Sequence, residues 1–130
     1  MDHTLEARAA APVSRGAGPL RIVRAEAIPV ALPLKKAVVM AGERIELAYN
    51  LLVRVEAENG LVGWGEAASA PLMTGDVLAG MVAAVNNHLA PLVTGQDAMC
   101  RAELVQRCAR ALLHNTGAKC AVDMAINDLV

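Results

Sequence analysis

Hydrophobic and polar residues alternate along the segment from Asn50 to Glu58. Alternation predicts a β-strand, because successive side chains of a strand point to opposite faces of the sheet. One face carries Leu51, Val53, Val55 and Ala57. Asn59-Gly60 follows directly, and this dipeptide tolerates the positive φ values of a two-residue type I′ turn. We therefore expect Leu61–Ala67 to return as the antiparallel partner strand.

The turn length fixes which residues of the two strands lie opposite each other. A two-residue loop places Val55 opposite Trp64 and Val53 opposite Glu66. Glu66 then points to the apolar face, where an unpartnered carboxylate costs several kcal/mol. The sequence thus predicts a Glu66 with hydrogen-bond or cationic partners, unless the strand end has already left the core.

Two segments precede this hairpin. Arg21–Leu34 is rich in β-branched and apolar residues, but Pro29 and Pro33 cannot donate to a hydrogen-bonded ladder, which favours an edge strand. Lys35–Ile45 has no sustained periodicity and contains Gly42. We expect it to form a mobile connecting loop, or flap.

After Thr74 the hydrophobic period becomes that of α-helices. The first helix is predicted to begin at a cap formed by Thr74 or Asp76 and to end near Pro91. Asp97 is the predicted N-cap of a second helix that runs to Leu113. Its expected buried residues are Leu104, Val105, Cys108, Ala111 and Leu112.

A third helix is predicted from Thr116 to the end of the sequence. It runs into the terminus without a residue that ends it, which is typical of an interrupted element. The whole pattern predicts an α+β fold, with a three-stranded antiparallel meander sheet followed by a three-helix bundle. The apolar stripe of the third helix comprises Ala118, Ala121, Val122, Ala125, Ile126 and Leu129.

Composition and charge narrow the functional classes. Hydrophobic residues make up 55% of the 130 residues, charged residues 19% and aromatic residues 2%, which indicates at most one globular domain. A net charge of −1 without a basic block disfavours nucleic-acid binding. The uncharged stretch 80–96 contains Asn86, His88 and Pro91, so we predict no membrane span. Residues 1–19 lack an apolar signal core and are expected to be a flexible tail before a domain at 20–130.

The cysteines indicate a cellular compartment. Cys100, Cys108 and Cys120 are an odd number without a CxxC motif, and all three fall among apolar residues of predicted helices. We expect three buried thiols in a reducing compartment, and hence a cytoplasmic protein.

The sequence predicts no catalytic residue and no metal ligand. His3, His88 and His114 are scattered, without the spacing or acidic neighbours that a metal site requires. Ser69 lacks a nucleophile elbow, and no histidine or cation activates a cysteine.

Two polar clusters allow competing interpretations. Asp123 and Asn127 share a predicted helix face, but Lys119 one turn earlier favours an ion-paired surface over a cation site. Lys35 and Lys36 either contact an anionic ligand or form a solvated charged step, and the sequence leaves both open.

Gly63-Trp64-Gly65-Glu66-Ala67-Ala68 matches the G-x-G-x-x-A pattern of dinucleotide-binding loops. The glycines lie inside the return strand of a hairpin and Pro71 precedes any helix, so the required strand–turn–helix context is missing. A structural role is favoured for the residues of this hairpin: Asn59, Gly60, Gly63, Trp64, Gly65 and Glu66.

Three stretches carry a resemblance to a known family. They are LAYNLLVRVEAENGLVGWGEA at 47–67, with Ala68 continuing the motif, then Pro71 with Thr74-Gly75-Asp76, and NTGAKCAVDMAINDL at 115–129. In this order they resemble the N-terminal domain of the mandelate racemase and muconate lactonizing enzyme family, within the enolase superfamily. The hairpin is more similar to the muconate cycloisomerase and dipeptide epimerase branch.

The resemblance implies a domain that caps a (β/α)₈ barrel. In such proteins the barrel carries Mg²⁺ and the acid/base groups that abstract a proton alpha to a carboxylate. The barrel needs about 200–250 further residues, so this chain is expected to be truncated before it, to hold no cofactor and to be inactive alone. The expected partners are a barrel in cis and a carboxylate substrate. The loops 34–45 and 69–76 would shape the substrate pocket, with Lys35, Val38, Val39, Met40, Leu72 and Met73.

A second hypothesis is a standalone α+β module that binds a small molecule, docks a separate barrel chain or forms homo-oligomers. It requires an exposed apolar surface, which the sequence places on the third helix. The residues concerned are Ala118, Val122, Ala125, Ile126 and Leu129.

Overall fold

Three strands form one antiparallel sheet in the order β1-β2-β3 in the computed structural model, which describes residues 19–130. The α+β fold class is confirmed. The predicted tail at 1–19 lies outside the described residues except for Pro19. The strands are β1 (Ile22–Met40), β2 (Glu43–Ala57) and β3 (Val62–Ala68).

The loop predicted at Lys35–Ile45 is wrong, because both strands continue through this segment. Ala41 and Gly42 connect them, with φ values of 50° and 80°, as a two-residue turn of the primed type requires. An irregularity hides this hairpin in the sequence: the four residues 34–37 of β1 lie opposite the single residue Glu46 of β2. The segment is therefore a β-hairpin whose tip is offset from the main sheet by a large bulge.

The predicted register of β2 and β3 is wrong by one residue. The Ala57 amide donates to the Leu61 carbonyl, which leaves a three-residue loop, and Gly60 adopts a φ of 84°. Glu66 consequently pairs with Leu52 instead of Val53 and lies on the face opposite the core. Its carboxylate accepts a hydrogen bond of 2.5 Å from the Asn50 side chain. The expected conflict with the apolar face does not arise.

Helices cover one face of the sheet. The first predicted helix is helical from Leu78 to Val93 without a gap, but its middle turn is a π-helix. Neither Thr74 nor Asp76 caps it, because its N-cap is Val77. No helix within residues 19–130 has the length and apolar character needed to cross a membrane. The segments are α1 (Leu78–Ala84), the π-turn (Val85–Leu89), α2 (Ala90–Val93), α3 (Arg101–Ala111) and α4 (Thr116–Leu129).

Asp97 is not the N-cap of α3, whose N-cap is Cys100. Its carboxylate instead accepts hydrogen bonds from the amides of Leu20, at 2.9 Å, and Met99, at 3.0 Å. Asp97 thus ties the chain that enters β1 to the loop before α3. Sequence spacing cannot reveal this contact, because the Leu20 partner is 77 residues away.

The apolar stripe of α4 is buried as predicted and packs with the inner face of the sheet. This result removes the surface on which the standalone module depended, since the stripe is inside the domain. The shared core also contains Leu51, Val53, Val55 and Ala57 of β2.

Gly63 and Gly65 allow α4 to approach β3 at backbone distance. A Cβ added at Gly65 would come within 2.8 Å of the Ala125 nitrogen and closer still to the Ala121 carbonyl oxygen. A Cβ at Gly63 would lie 2.6 Å from the Leu129 nitrogen. The structural role predicted for these glycines is thus to leave space, since neither has a side chain that would separate β3 from α4.

Side chains from the helical layer cover both edges of the sheet. At the β3 edge, Asp128 of α4 accepts the Trp64 amide at 2.8 Å. At the β1 edge, Asn86 of the π-turn accepts the Ala27 amide at 3.1 Å. Pro29 and Pro33 share the outward orientation of Ala27 and carry no amide hydrogen, which confirms the predicted edge strand.

Gly65→Ala should lower the free energy of unfolding by about 3 kcal/mol, since the new methyl group collides with the backbone of α4. Urea denaturation followed by Trp64 fluorescence measures this effect. Gly80→Ala in α1 is the matched control: its Cβ would meet the end of the Val77 side chain, and alanine favours a helix by about 0.5–1 kcal/mol. Equal stabilities of the two variants would contradict the close-packing argument.

Asp128→Ala should cost about 1 kcal/mol, because the Trp64 amide loses its acceptor at the sheet edge. Asp123→Ala on the same helix removes only the acceptor of Asn127 and should change the stability by less than about 0.5 kcal/mol. Equilibrium unfolding of both variants in the same buffer provides the comparison. A larger loss for Asp123→Ala would show that edge capping is not what Asp128 contributes.

Candidate functional site

A groove of about 650 Å³ opens at the end of the domain where the β1–β2 hairpin turns. One wall is the hairpin between Leu34 and Asn50, and the other is the segment 68–73 after β3. That segment is a hydrogen-bonded turn: the Ser69 amide donates to Tyr49, and the amides of Met73 and Thr74 both donate to Ala70. The two walls therefore belong to a common framework.

Four of the six residues assigned to the pocket by resemblance meet in this groove. Val38 and Met40 come from the hairpin, and Leu72 and Met73 come from the turn after β3. Lys35 and Val39 do not line it. Lys35 belongs to the bulge in β1, whereas Val39 is 70% exposed beside two lining residues.

Sequence reasoning missed the residues of β2 that form the floor between these walls. Ile45, Leu47 and Tyr49 line the groove. They continue, in steps of two, the alternation of Leu51 and Val53, which are fully buried. Alternation is the signal that identifies them, but Ile45 was assigned to the predicted loop, and Leu47 and Tyr49 precede Asn50, where the predicted strand begins.

Ionic groups of the groove lie close to the hairpin tip. Arg44 Nε lies 3.0 Å from Glu46 Oε1, and the side chains are 69% and 68% exposed. An ion pair at this exposure contributes little to stability. Within residues 19–130 no three His, Cys, Asp or Glu side chains are grouped so that they would hold a metal ion. The groove thus has the chemistry of an apolar binding surface.

The remaining hairpin residues have structural positions. Asn59 Oδ1 accepts the Leu61 amide at 3.1 Å, which supports the loop containing Gly60. Trp64 is half-exposed on the helix-free face and pairs with Arg54 across the strands. Arg54 forms ion pairs with Glu56 at 2.7 Å and with Glu26 at 3.6 Å.

A smaller cavity, of about 220 Å³, lies between α3 and α4 and is lined by both Cys108 and Cys120. The prediction of three buried thiols is wrong: Cys108 is buried, whereas Cys100 and Cys120 are exposed. Burial raises the pKa of the Cys108 thiol, and the positive charge of Arg107 opposes this shift only in part.

Lys119 does not join an ion-paired surface with Asp123, contrary to the interpretation favoured by the sequence. Its ammonium group donates to the carbonyl oxygens of Ala109, at 3.2 Å, and Leu112. It thereby satisfies carbonyl groups at the C-terminal end of α3. Asn127 donates to Asp123 Oδ1 at 2.7 Å instead.

Thiol labelling at pH 8 should separate the three cysteines. Cys100 and Cys120 should react first and Cys108 last, because the reactive species is the thiolate and burial disfavours it at Cys108. Peptide mass spectrometry after timed alkylation identifies each site, and labelling in denaturant is the control in which the rates converge. The raised pKa also predicts that stability falls as the pH rises above the ordinary thiol pKa, since the unfolded chain loses this proton first. Early modification of Cys108 would contradict its burial.

Comparisons with known proteins agree with this architecture. Residues 22–130 match the family model "Mandelate racemase / muconate lactonizing enzyme, N-terminal domain". The L-Ala-D/L-Glu epimerase of Bacillus subtilis is 31% identical over 109 residues, which are 84% of this chain and 30% of that protein. A chloromuconate cycloisomerase of Cupriavidus pinatubonensis is 35% identical over 112 residues, covering 85% of this chain and 30% of the relative.

Solved structures extend this similarity to three dimensions. The dipeptide epimerase of Enterococcus faecalis, solved in complex with Mg and the dipeptide L-Leu-L-Tyr, superposes with a TM-score of 0.79 at 26% identity. The match covers 85% of this chain and 31% of that one. The chain thus spans about 30% of the length of its curated relatives. It belongs to the mandelate racemase and muconate lactonizing enzyme family, of which it contains the N-terminal domain.

Proposed function

We propose that this chain is the substrate-capping domain of an Mg²⁺-dependent enzyme that racemises, epimerises or cycloisomerises a carboxylate. The observation that carries the proposal is the groove, in which the hairpin tip and the turn after β3 present exposed apolar side chains at one end of the domain. A surface of this kind on a folded domain marks a place where another molecule or domain binds.

The relatives support the reaction class. Their names describe epimerases of amino-acid derivatives and a chloromuconate cycloisomerase, and one of them was solved with Mg and a dipeptide. Each is about three times as long as the matched region, which leaves room for a barrel in the same polypeptide.

The described residues do not fit a magnesium site, because they provide no group of acidic side chains at one point. In this proposal the metal and the groups that move the alpha proton belong to the barrel. The role of the present chain is to bind the part of the substrate remote from its carboxylate. Apolar walls that close over that part exclude water and hold the substrate in a fixed orientation, which favours proton transfer at the barrel.

A chimera tests this assignment. The complete 130-residue chain replaces the matching N-terminal region of the Bacillus subtilis epimerase, and exchange of the substrate alpha proton with deuterium is followed by NMR. We expect Mg²⁺-dependent exchange by the chimera and none by the 130-residue chain alone. The bare barrel should be at least about 100-fold slower, because the substrate is then neither oriented nor shielded from water.

Circular dichroism and thermal unfolding establish that the chimera is folded before its activity is interpreted. Exchange catalysed by the 130-residue chain alone would contradict the capping role. A folded chimera no faster than the bare barrel would contradict it equally.

A further inference from the structure

The walls of the groove expose large apolar side chains on both sides. Val38 and Met40 on the hairpin are each 43% exposed, while Leu72 and Met73 on the opposite wall are 63% and 52% exposed. The floor adds Leu47 and Tyr49, which are 42% and 49% exposed. Apolar surface concentrated in this way favours a ligand group that is itself apolar.

The groove offers little positive charge to a ligand. Among the described residues that line it, Arg44 is the one cation, and its guanidinium is already paired with Glu46 at 3.0 Å. Lys35 and Lys36 lie in the bulge of β1 and do not line the groove. A carboxylate beside Leu72 or Met73 would lose water without a cation next to it, because Arg44 lies at the exposed hairpin tip beside Glu46.

An ammonium group is disfavoured for a related reason. Glu46 is held by Arg44, and Glu43 lies at the hairpin turn, paired with Met40 across the strands. A positive charge deeper in the groove, beside Leu72 or Met73, would be desolvated by apolar atoms. Away from the hairpin tip, the apolar lining therefore disfavours a charge of either sign.

On the basis of the proposed function, we infer that the groove receives an uncharged, apolar side chain or acyl group at the end of the substrate remote from its reacting carboxylate. The substrate class is a carboxylate such as a dipeptide or N-acyl amino acid with a hydrophobic distal group. The cavity volume of about 650 Å³ lies in the usual range of small-molecule sites, about 300–1,000 Å³. Met40 and Met73 face this space from opposite walls, and their unbranched side chains adapt to differently shaped apolar groups.

The same chimera tests the inference with three dipeptides that differ in the N-terminal residue, which is remote from the reacting carboxylate: L-Leu-L-Glu, L-Glu-L-Glu and L-Lys-L-Glu. The measured quantity is kcat/KM for each, compared with the unmodified Bacillus subtilis epimerase so that the preference of the barrel cancels. We expect the ratio of L-Leu-L-Glu to L-Glu-L-Glu to rise at least about tenfold when this cap is present. The ratio of L-Leu-L-Glu to L-Lys-L-Glu should rise as well.

Met73→Lys provides the variant, since it places a free cation on the groove wall at a half-exposed position that tolerates charge. It should move the preference back towards L-Glu-L-Glu by at least about tenfold. Leu113→Lys is the matched control: it has the same charge change on a side chain that is 86% exposed, at a site that does not line the groove. This control should leave the ratios unchanged.

The outcomes separate the two proposals. A folded, active chimera that keeps the parental ratio, or prefers a charged N-terminal residue, overturns the inference and leaves the capping function standing. A folded chimera with no exchange on any dipeptide overturns the capping function itself. If the chimera does not fold, residues 38–45 and 69–73 are grafted into the epimerase's own cap, and the same shift in ratio decides.

Discussion

The close contact between α4 and β3 is the interaction on which the rest of the domain depends. Two glycines on the inner face of β3 remove the side chains that would otherwise hold the helix away, so the helix backbone rests on the strand backbone. The small residues Ala118, Ala121 and Ala125 of this helix are fully buried. The chain has no Phe and a single Trp, so large aromatic side chains do not fill its core. Close approach of the helix to the sheet lets small side chains form the core instead. The close approach of α4 to β3 also brings Asp128 within hydrogen-bond distance of the Trp64 amide. The same contact therefore packs the core and caps the edge of the sheet.

The position of the helical layer also explains why the groove exists. Along β2, the inner-face residues from Leu51 to Ala57 are covered by helices, while Ile45, Leu47 and Tyr49 on the same face are not. The strand is thus longer than the layer that covers it. Because β1 continues beside it to Met40, the uncovered end is a hairpin of paired strands, and the turn after β3 closes its side. The apolar groove is the end of the hydrophobic face that the domain does not bury.

Sequence patterns correctly predicted the elements that depend only on the burial of one face. They failed where loop length or backbone conformation also decides the structure. The alternation of β2 and the stripe of α4 each require only that one face is buried, and both were correct. The register of β3 was wrong because Gly60 serves equally well in a two-residue turn and in a three-residue loop, and the two differ by one position. The hairpin tip was missed since nothing in the sequence marks Ala41 as a residue with positive φ. Of the candidate site, resemblance supplied Val38, Met40, Leu72 and Met73, whose two segments are distant in sequence and meet only through the sheet.

The closely packed contact and the exposed apolar groove lie in different parts of this domain. The region around Gly63 and Gly65 is tightly packed, and Asp128 accepts the Trp64 amide at its edge. The hairpin tip has no helix above it, and the four-against-one bulge at residues 34–37 interrupts its connection to the main sheet. A two-stranded ribbon has little stability of its own, so its local geometry adjusts at low cost while the sheet beneath it remains fixed. Because the two regions are separate, substitutions at Val38, Met40 or Met73 would alter the shape of the groove without disturbing the contact between α4 and β3.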